Sequence, residues 1–532
     1  MLWIALHLPL LSLESFAATL SPELNAQPLA LMDAHRIVSA NASARALGVK
    51  PGLKRATALA LAPNITLGLA CAARDAQALT AVAHAALAFT PGVSIEPARA
   101  AASAGAAGLE AADTVLLDVQ ASLRYFGGLP ALLVRLQAAF APLGHRLHVV
   151  SAPTALGAAL LARVHPQLHC ADLSVLQRAL AAAPVWLIGP GRAHWEALQG
   201  MGLRTLADLQ ALPRSGLARR FGEALLSELD RARGLRPDPR EPIRLPPTFD
   251  SRLELFARAD TAEQLLYGAV ALLARLVAWL AAQHAFVRRF SIVMAHERHR
   301  RNDAGLPATT TLDIALAEPS RDPAHLLLLL RERLAQLELP APTLDLRLLA
   351  DDIARRAPPN NELFPTPQSE QDGLTRLIER LQARLGPAQV QRLEAVADHR
   401  PERASRLRAA DARIRMPVAA DARIRMPVAP GKAGTANAAA GPHAEPAAMR
   451  PVWLLAQPEP LPERQTGPTL GGQPLLLLSG PERIESGWWD AALAERDYFI
   501  AQLPGGALVW IYRARLPLAA PASGWFLQGR FA

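Results

Sequence analysis

Between residues 249 and 352 the chain alternates between strand-type and helix-type hydrophobic periods, and that order restricts its fold more than any other feature. Strand "SRLELF" precedes helix "TAEQLLYGAVALLARLVAWLAAQ", strands "FVRRFSIVMAHE" and "ATTTLDIALAE", helix "PAHLLLLLRERLAQL" and strand "TLDLRLLADD". A half-buried strand offers one apolar face and a helix one apolar stripe, so each must cover the other. The order predicts a split βαβ domain, a four-stranded sheet backed by two helices. Arg288, Arg289, Arg298, Arg300 and Arg301 fall on and after its second strand. That charge suits a nucleic-acid backbone, and equally a strand edge that resists pairing. Arg275 interrupts the apolar run of the first helix, so no membrane span is predicted.

A chain of 532 residues is too long for one core and should hold several domains. The Pro-rich stretch "RPDPREPIRLPP" marks a linker at 236–248. Ahead of it, "LWIALHL", "AADTVLLDVQASLRYFGG" and "RLHVVSAPTALGAALLARV" read as buried strands with helices, an α+β sheet domain over 1–20 and 71–175. Residues 21–70, a strand-like run, a helix ended by Gly48, then Pro51-Gly52 and a second helix, read as a small helical insert. The opening "MLWIALHLPLLSLESF" has no Lys or Arg before Arg36 and is broken by His7, Pro9 and Glu14, so it reads as a strand and helix rather than an export signal. Cys71 and Cys170 are the only cysteines, too few for a disulfide framework or a thiolate metal site, which points to a reducing cytoplasm.

Residues 176–235 change character to short helices punctuated by Gly and Pro and resemble a helix-hairpin-helix module. Free N–H groups at a helix start near Gly202, Arg204 and Thr205 are expected to face an anion, with Arg192 adding charge. A helical connector with ordinary glycine caps is the competing reading. The net charge of +9 fits a polyanionic partner or simply an Arg-rich surface. Residues 353–408 hold "NNELFP" and an amphipathic helix; 409–449, with its tandem "DARIRMPVAADARIRMPVA", reads as a disordered tether. The final segment, 450–532, holds five of the nine tryptophans and alternates as a small β-rich unit. Trp488, Trp489, Trp510 and Trp525 are candidates for docking a partner, or for a core built on large side chains.

Sheet domain, helical insert, helix-hairpin-helix module, linker and split βαβ domain, in this order, resemble the palm, fingers, thumb and little finger of Y-family translesion DNA polymerases. "SANASARALGVKPGL" resembles the fingers segment, "LLDVQASLRYFGG" the second palm motif and "LQGMGLRTLADLQALP" the thumb. The resemblance covers roughly residues 1–350 and rests on motif order more than on any one motif. A polymerase of this family needs carboxylates to hold two metal ions across an in-line phosphoryl transfer. With the register anchored on Glu14, the acidic positions of the first strand fall on Ala5 and His7 and the sugar-sensing aromatic position on Leu10. The Asp-Glu pair of the second motif falls on Asp113-Thr114, and the triphosphate-contacting Tyr on Ala42, while its neighbouring Arg is kept as Arg45. Residues 1–13 contain no Asp or Glu, so a shift of register does not restore the site.

The resemblance is therefore to a noncatalytic branch of the family, without metal or cofactor. It implies an adaptor in damage-induced mutagenesis that contacts DNA without sequence preference, the sliding clamp, an error-prone C-family DNA polymerase and a RecA-like mutasome subunit. Asn360, Leu363 and Phe364 of "NNELFP" are the favoured clamp-docking residues, although the family prefers Gln where Asn360 stands; "QPLLLL" at 473–478 is the second candidate. Two rival functions remain open: an active translesion polymerase with relocated metal ligands, and a DNA-binding protein that needs no clamp.

Overall fold

The computed structural model describes residues 1–97, 99–100, 109–110, 112–189, 194–297, 307–355, 367–410, 450–451, 453–465, 467–515 and 524–531. They form two compact units, Met1–Arg384 and Leu385–Ala532. The architecture is mixed α/β with a strand-rich second unit, as the sequence predicts.

The first unit begins with a five-stranded sheet in the order Gln167–His169, His148–Ala152, Trp3–His7, Thr114–Asp118, Val93–Ile95. The opening strand pairs antiparallel with both neighbours, Ala5 opposite Leu116 and Val150, His7 opposite Thr114 and His148. Alternation sends Ile4, Leu6, Val115 and Leu117 into a core with helices Ala72–Leu87 and Leu129–Phe140. Ala5, Leu116, Val150 and Ala152 point the other way, into a core with helix Ala155–Ala162, every residue of which is buried. Both sheet faces are covered, so these strands read as continuous apolar runs.

The insert differs from the helical expectation. It holds short helices Ala42–Ala46 and Arg55–Leu61 but also a three-stranded sheet of Arg36–Ala40, Leu29–Asp33 and Thr66–Leu69. The hairpin is hard to read from sequence because its turn carries Ala34, at φ 50°, where a Gly or Asn normally signals left-handed backbone. Farther on, helices Leu173–Ala182, Trp195–Gly200, Leu206–Gln210, Arg214–Phe221 and Glu223–Arg233 close over the core that contains Ala5. The proline-rich linker is held at two points: Arg240 pairs with Glu96, and the Ile243 N–H donates to the Val93 carbonyl at 2.8 Å.

The split βαβ order folds as predicted. Strands lie in the order Phe249–Ala259, Thr343–Arg355, Ala285–His296, Thr309–Ser320, all neighbours antiparallel. Helices Ala262–Ala282 and Pro323–Leu334 cover one face; Leu272, Leu276 and Trp279 of the former are fully buried. Helix Ala262–Ala282 is long and apolar enough to cross a bilayer, and here it serves as the core helix of this domain. Helix Pro367–Leu385 packs onto the same domain, where Glu379 meets His325 at 2.9 Å and Ala383 joins the core.

In the second unit a hairpin of Gln391–Ala395 and Ser405–Ala409 precedes a five-stranded antiparallel sheet: Trp453–Leu461, Trp525–Arg530, Leu508–Ala514, Ala494–Gln502, Leu476–Ser486. Trp510 and Trp525 are 2% and 6% exposed. Trp510 stacks on Tyr498 at 4.2 Å, and the Trp525 indole donates to Glu463 at 3.1 Å. These two are core residues, which corrects their placement among the docking tryptophans. Trp525 packs with the aliphatic Leu461, Leu475, Val509, Ile511 and Leu527, while Trp510 joins Tyr498, Tyr512 and Ile484 in a second, ring-rich cluster. Nearly all of the expected tether, 411–449, lies outside the described residues.

Candidate functional site

Ala5, His7, Asp113 and Thr114, which the sequence resemblance assigns to metal binding, lie on or beside the first sheet, and their surroundings are cationic as well as acidic. Ala5 is fully buried among aliphatic side chains. His7, on the same face of the strand, is 6% exposed and places Nδ1 3.1 Å from Thr114 Oγ1 and 3.4 Å from Asp113 Oδ1. Thr114 donates its hydroxyl to the same carboxylate oxygen at 2.8 Å. Arg163, following the apolar helix Ala155–Ala162, reaches back with Nη2 to 2.6 Å from Asp113 Oδ1. Burial alone would raise the Asp113 carboxyl; the His7 hydrogen bond, the Arg163 charge and Thr114 outweigh it and hold the group below the ordinary carboxylate range. The Asp113 carboxyl is thus ionised and already paired with a guanidinium.

Other carboxylates are engaged elsewhere. Glu14 accepts the Arg146 backbone N–H at 2.9 Å and lies 3.5 Å from His145. Asp118 sits opposite Trp3, at the far end of its strand from Thr114, and accepts the Gln120 N–H at 3.2 Å. Asp75 takes the Ser12 hydroxyl; burial is the largest influence on it and raises its pKa. Asp33 ends an insert strand, exposed. Among the described residues no group of three or more His, Cys, Asp or Glu side chains is arranged to hold a metal ion. Sequence reasoning found Asp113 and missed Arg163. The available signal was a lone cation closing the wholly apolar run "ALGAALLA".

The candidate nucleic-acid contacts are dispersed over the first unit. Arg45 is exposed in the last turn of helix Ala42–Ala46, whose start is capped by the Asn41 side chain. Gly202 occupies left-handed backbone at φ 79° with open space around it. The expectation of free amides near Thr205 is corrected: Asp208 Oδ2 accepts the N–H groups of Arg204 and Thr205 at 2.9 and 2.8 Å. Thr205 returns the bond to the Asp208 N–H at 3.3 Å, a complete capping box, and the Leu206 N–H goes to the Ala183 carbonyl. A Thr-x-x-Asp sequence favours this closure over an anion site; Arg204 itself remains exposed. Arg192 lies outside the described residues.

On the split βαβ domain Arg288 and Arg289 are both exposed, side by side where the strand register shifts. The uncovered sheet face beside them is mixed in sign: Arg252 bonds Asp345 at 2.6 Å and Arg347 bonds Asp250. Arg298, Arg300 and Arg301 lie outside the described residues, as do Asn360, Leu363 and Phe364. The second clamp candidate sits on an edge strand, where Leu476, Leu477 and Leu478 are exposed and Leu475 is buried. Trp488 and Trp489 are 80% and 53% exposed in a turn fixed by Arg400, which bonds Asp398 and Asp490 at 2.6 Å each.

Residues 12–141 match the model of the impB/mucB/samB family. The chain is also similar over most of its length to curated relatives. It is 28% identical to Protein ImuB of Caulobacter vibrioides over 521 residues, 91% of this chain and 100% of the relative, in strains NA1000 / CB15N and ATCC 19089 / CIP 103742 / CB 15 alike. Among solved structures, DinB from Sulfolobus solfataricus and a Dbh ternary complex each superpose with a TM-score of 0.36 at 18% identity, covering 66% of this chain and 99% of theirs.

Proposed function

We propose that this protein is a noncatalytic, DNA-associated adaptor of damage-induced translesion synthesis. The observation that carries the reading is the Asp113 carboxylate held by Arg163 and His7 while Ala5 is sealed in the core. A divalent cation entering there would meet one acid already satisfied by a fixed positive charge, and the two-metal clamp of phosphoryl transfer needs several free oxygen ligands. In this reading residues 1–20 and 71–175 act as palm, 21–70 as fingers, 176–235 as thumb and 249–352 as little finger. Arg45, Arg204, Arg288 and Arg289 touch the phosphate backbone and position the protein without reading bases.

The likeness to ImuB along the length of the chain supports an adaptor that joins the sliding clamp to an error-prone C-family polymerase and a RecA-like companion. Leu363 and Phe364 would dock the clamp, and the exposed Trp488–Trp489 turn a protein partner. Primer extension by the purified chain with Mg²⁺ or Mn²⁺ tests the central claim. No protein-dependent incorporation is expected; sustained incorporation that survives Asp113→Ala would overturn it, and incorporation abolished by Asp113→Ala would favour an active polymerase with relocated ligands. Clamp capture is expected to fall on Leu363→Ala/Phe364→Ala, and unchanged capture moves the docking peptide elsewhere.

A further inference from the structure

Helix Ala262–Ala282 carries a single cation, Arg275, and buries it to 6% exposure. Its Nη1 donates to Gln77 Oε1 on helix Ala72–Leu87 at 3.3 Å, to Ser251 Oγ at 3.2 Å and to the Arg252 carbonyl at 3.4 Å. All three acceptors are neutral, and the bonds are long for a charged donor. With no opposing charge beside it, burial pulls the Arg275 pKa down to about 10. A guanidinium taken out of water without a counter-ion is a standing cost to the fold.

The side chain borders a cavity of about 170 Å³ between helix Ala72–Leu87 and the split βαβ domain, lined also by Gln77, Thr80, His84, Asp250 and Ser251. Asp250 is held by both arms of Arg347, so its charge is already cancelled. Burial lowers the His84 pKa to about 4, which leaves the imidazole neutral at pH 7. Gln77 turns its oxygen toward Arg275, leaving two amide protons, and Ser251 accepts from Arg275 with its own proton still to give. The groups that remain are a cation and neutral donors in a space several waters in volume, given roughly 30 Å³ for each.

We propose that this cavity binds a small inorganic anion, a halide or a tetrahedral oxyanion, seated on Arg275 between Gln77 and Ser251. The ion supplies the missing counter-charge and ties helix Ala72–Leu87 to the split βαβ domain. Its test is a crystal of the full chain grown in bromide, together with chloride NMR line broadening in solution. An anomalous peak in the cavity is expected, with excess broadening displaced by inorganic phosphate if the site takes oxyanions and by bromide alone if it is halide-selective. Arg275→Gln should weaken halide binding about tenfold or more, the scale of losing a charge-assisted hydrogen bond. Gln77→Leu, which keeps the guanidinium, should weaken it less and decides the matter if Arg275→Gln does not fold. A cavity holding only water, or broadening equal in the wild type and the folded variants, overturns the proposal.

Discussion

At the residue scale, Asp113 is a part-buried carboxylate held by three partners, Arg163, His7 and Thr114. Its carboxyl titrates below the ordinary range in the folded chain, so the ionised form stabilises the native state above the unfolded value near 4 and that contribution fades as pH falls through the folded value. Asp113→Asn should remove about 1–3 kcal/mol at pH 7 and flatten the acid limb of the stability curve, as chemical denaturation at several pH values would measure. Arg163→Met should cost a similar amount, because it leaves the carboxylate half-buried with only His7 and Thr114 as partners. An Asp113→Asn curve parallel to the wild type down to pH 3 would contradict this. The acid itself was legible in the sequence, because a motif places it; its partner was not. Arg163 comes from another element, and no local pattern announces which cation will fold back onto a strand.

Elements were read in proportion to how strongly their own periodicity specified them. The split βαβ order survived intact because six long segments each satisfied one hydrophobic period. The insert hairpin was missed because its turn residue, Ala34, breaks the usual chemistry. The helix start at Thr205 looked anion-ready until Asp208 was seen to close it. Thr205→Ala should therefore lose about 1 kcal/mol of stability and leave DNA affinity unchanged, in a paired denaturation and binding measurement. In the terminal sheet, aromatic content alone did not separate core from surface. Trp510→Ala should cost about 3–5 kcal/mol, whereas Trp488→Ala should spare stability and weaken partner capture in a pull-down. Equal destabilisation by both would place Trp488 in the core as well.

For the whole molecule, the proposed DNA contact through the exposed Arg45, Arg204, Arg288 and Arg289 would be governed by counter-ion release. Affinity for duplex DNA should fall steeply between low and physiological salt and vary little with sequence. Arg288→Ala/Arg289→Ala should reduce the slope of log affinity against log salt by about 1–2, and an unchanged slope would remove these two from the contact surface. The paired acids on the open sheet face argue that contact is confined to a stripe. The burial of Ala5 has a practical corollary. An acid placed there by Ala5→Asp would set a carboxylate among close-packed aliphatic groups while Arg163 still held Asp113, so the chain would surrender folded stability whatever ion were offered to the new oxygen atoms.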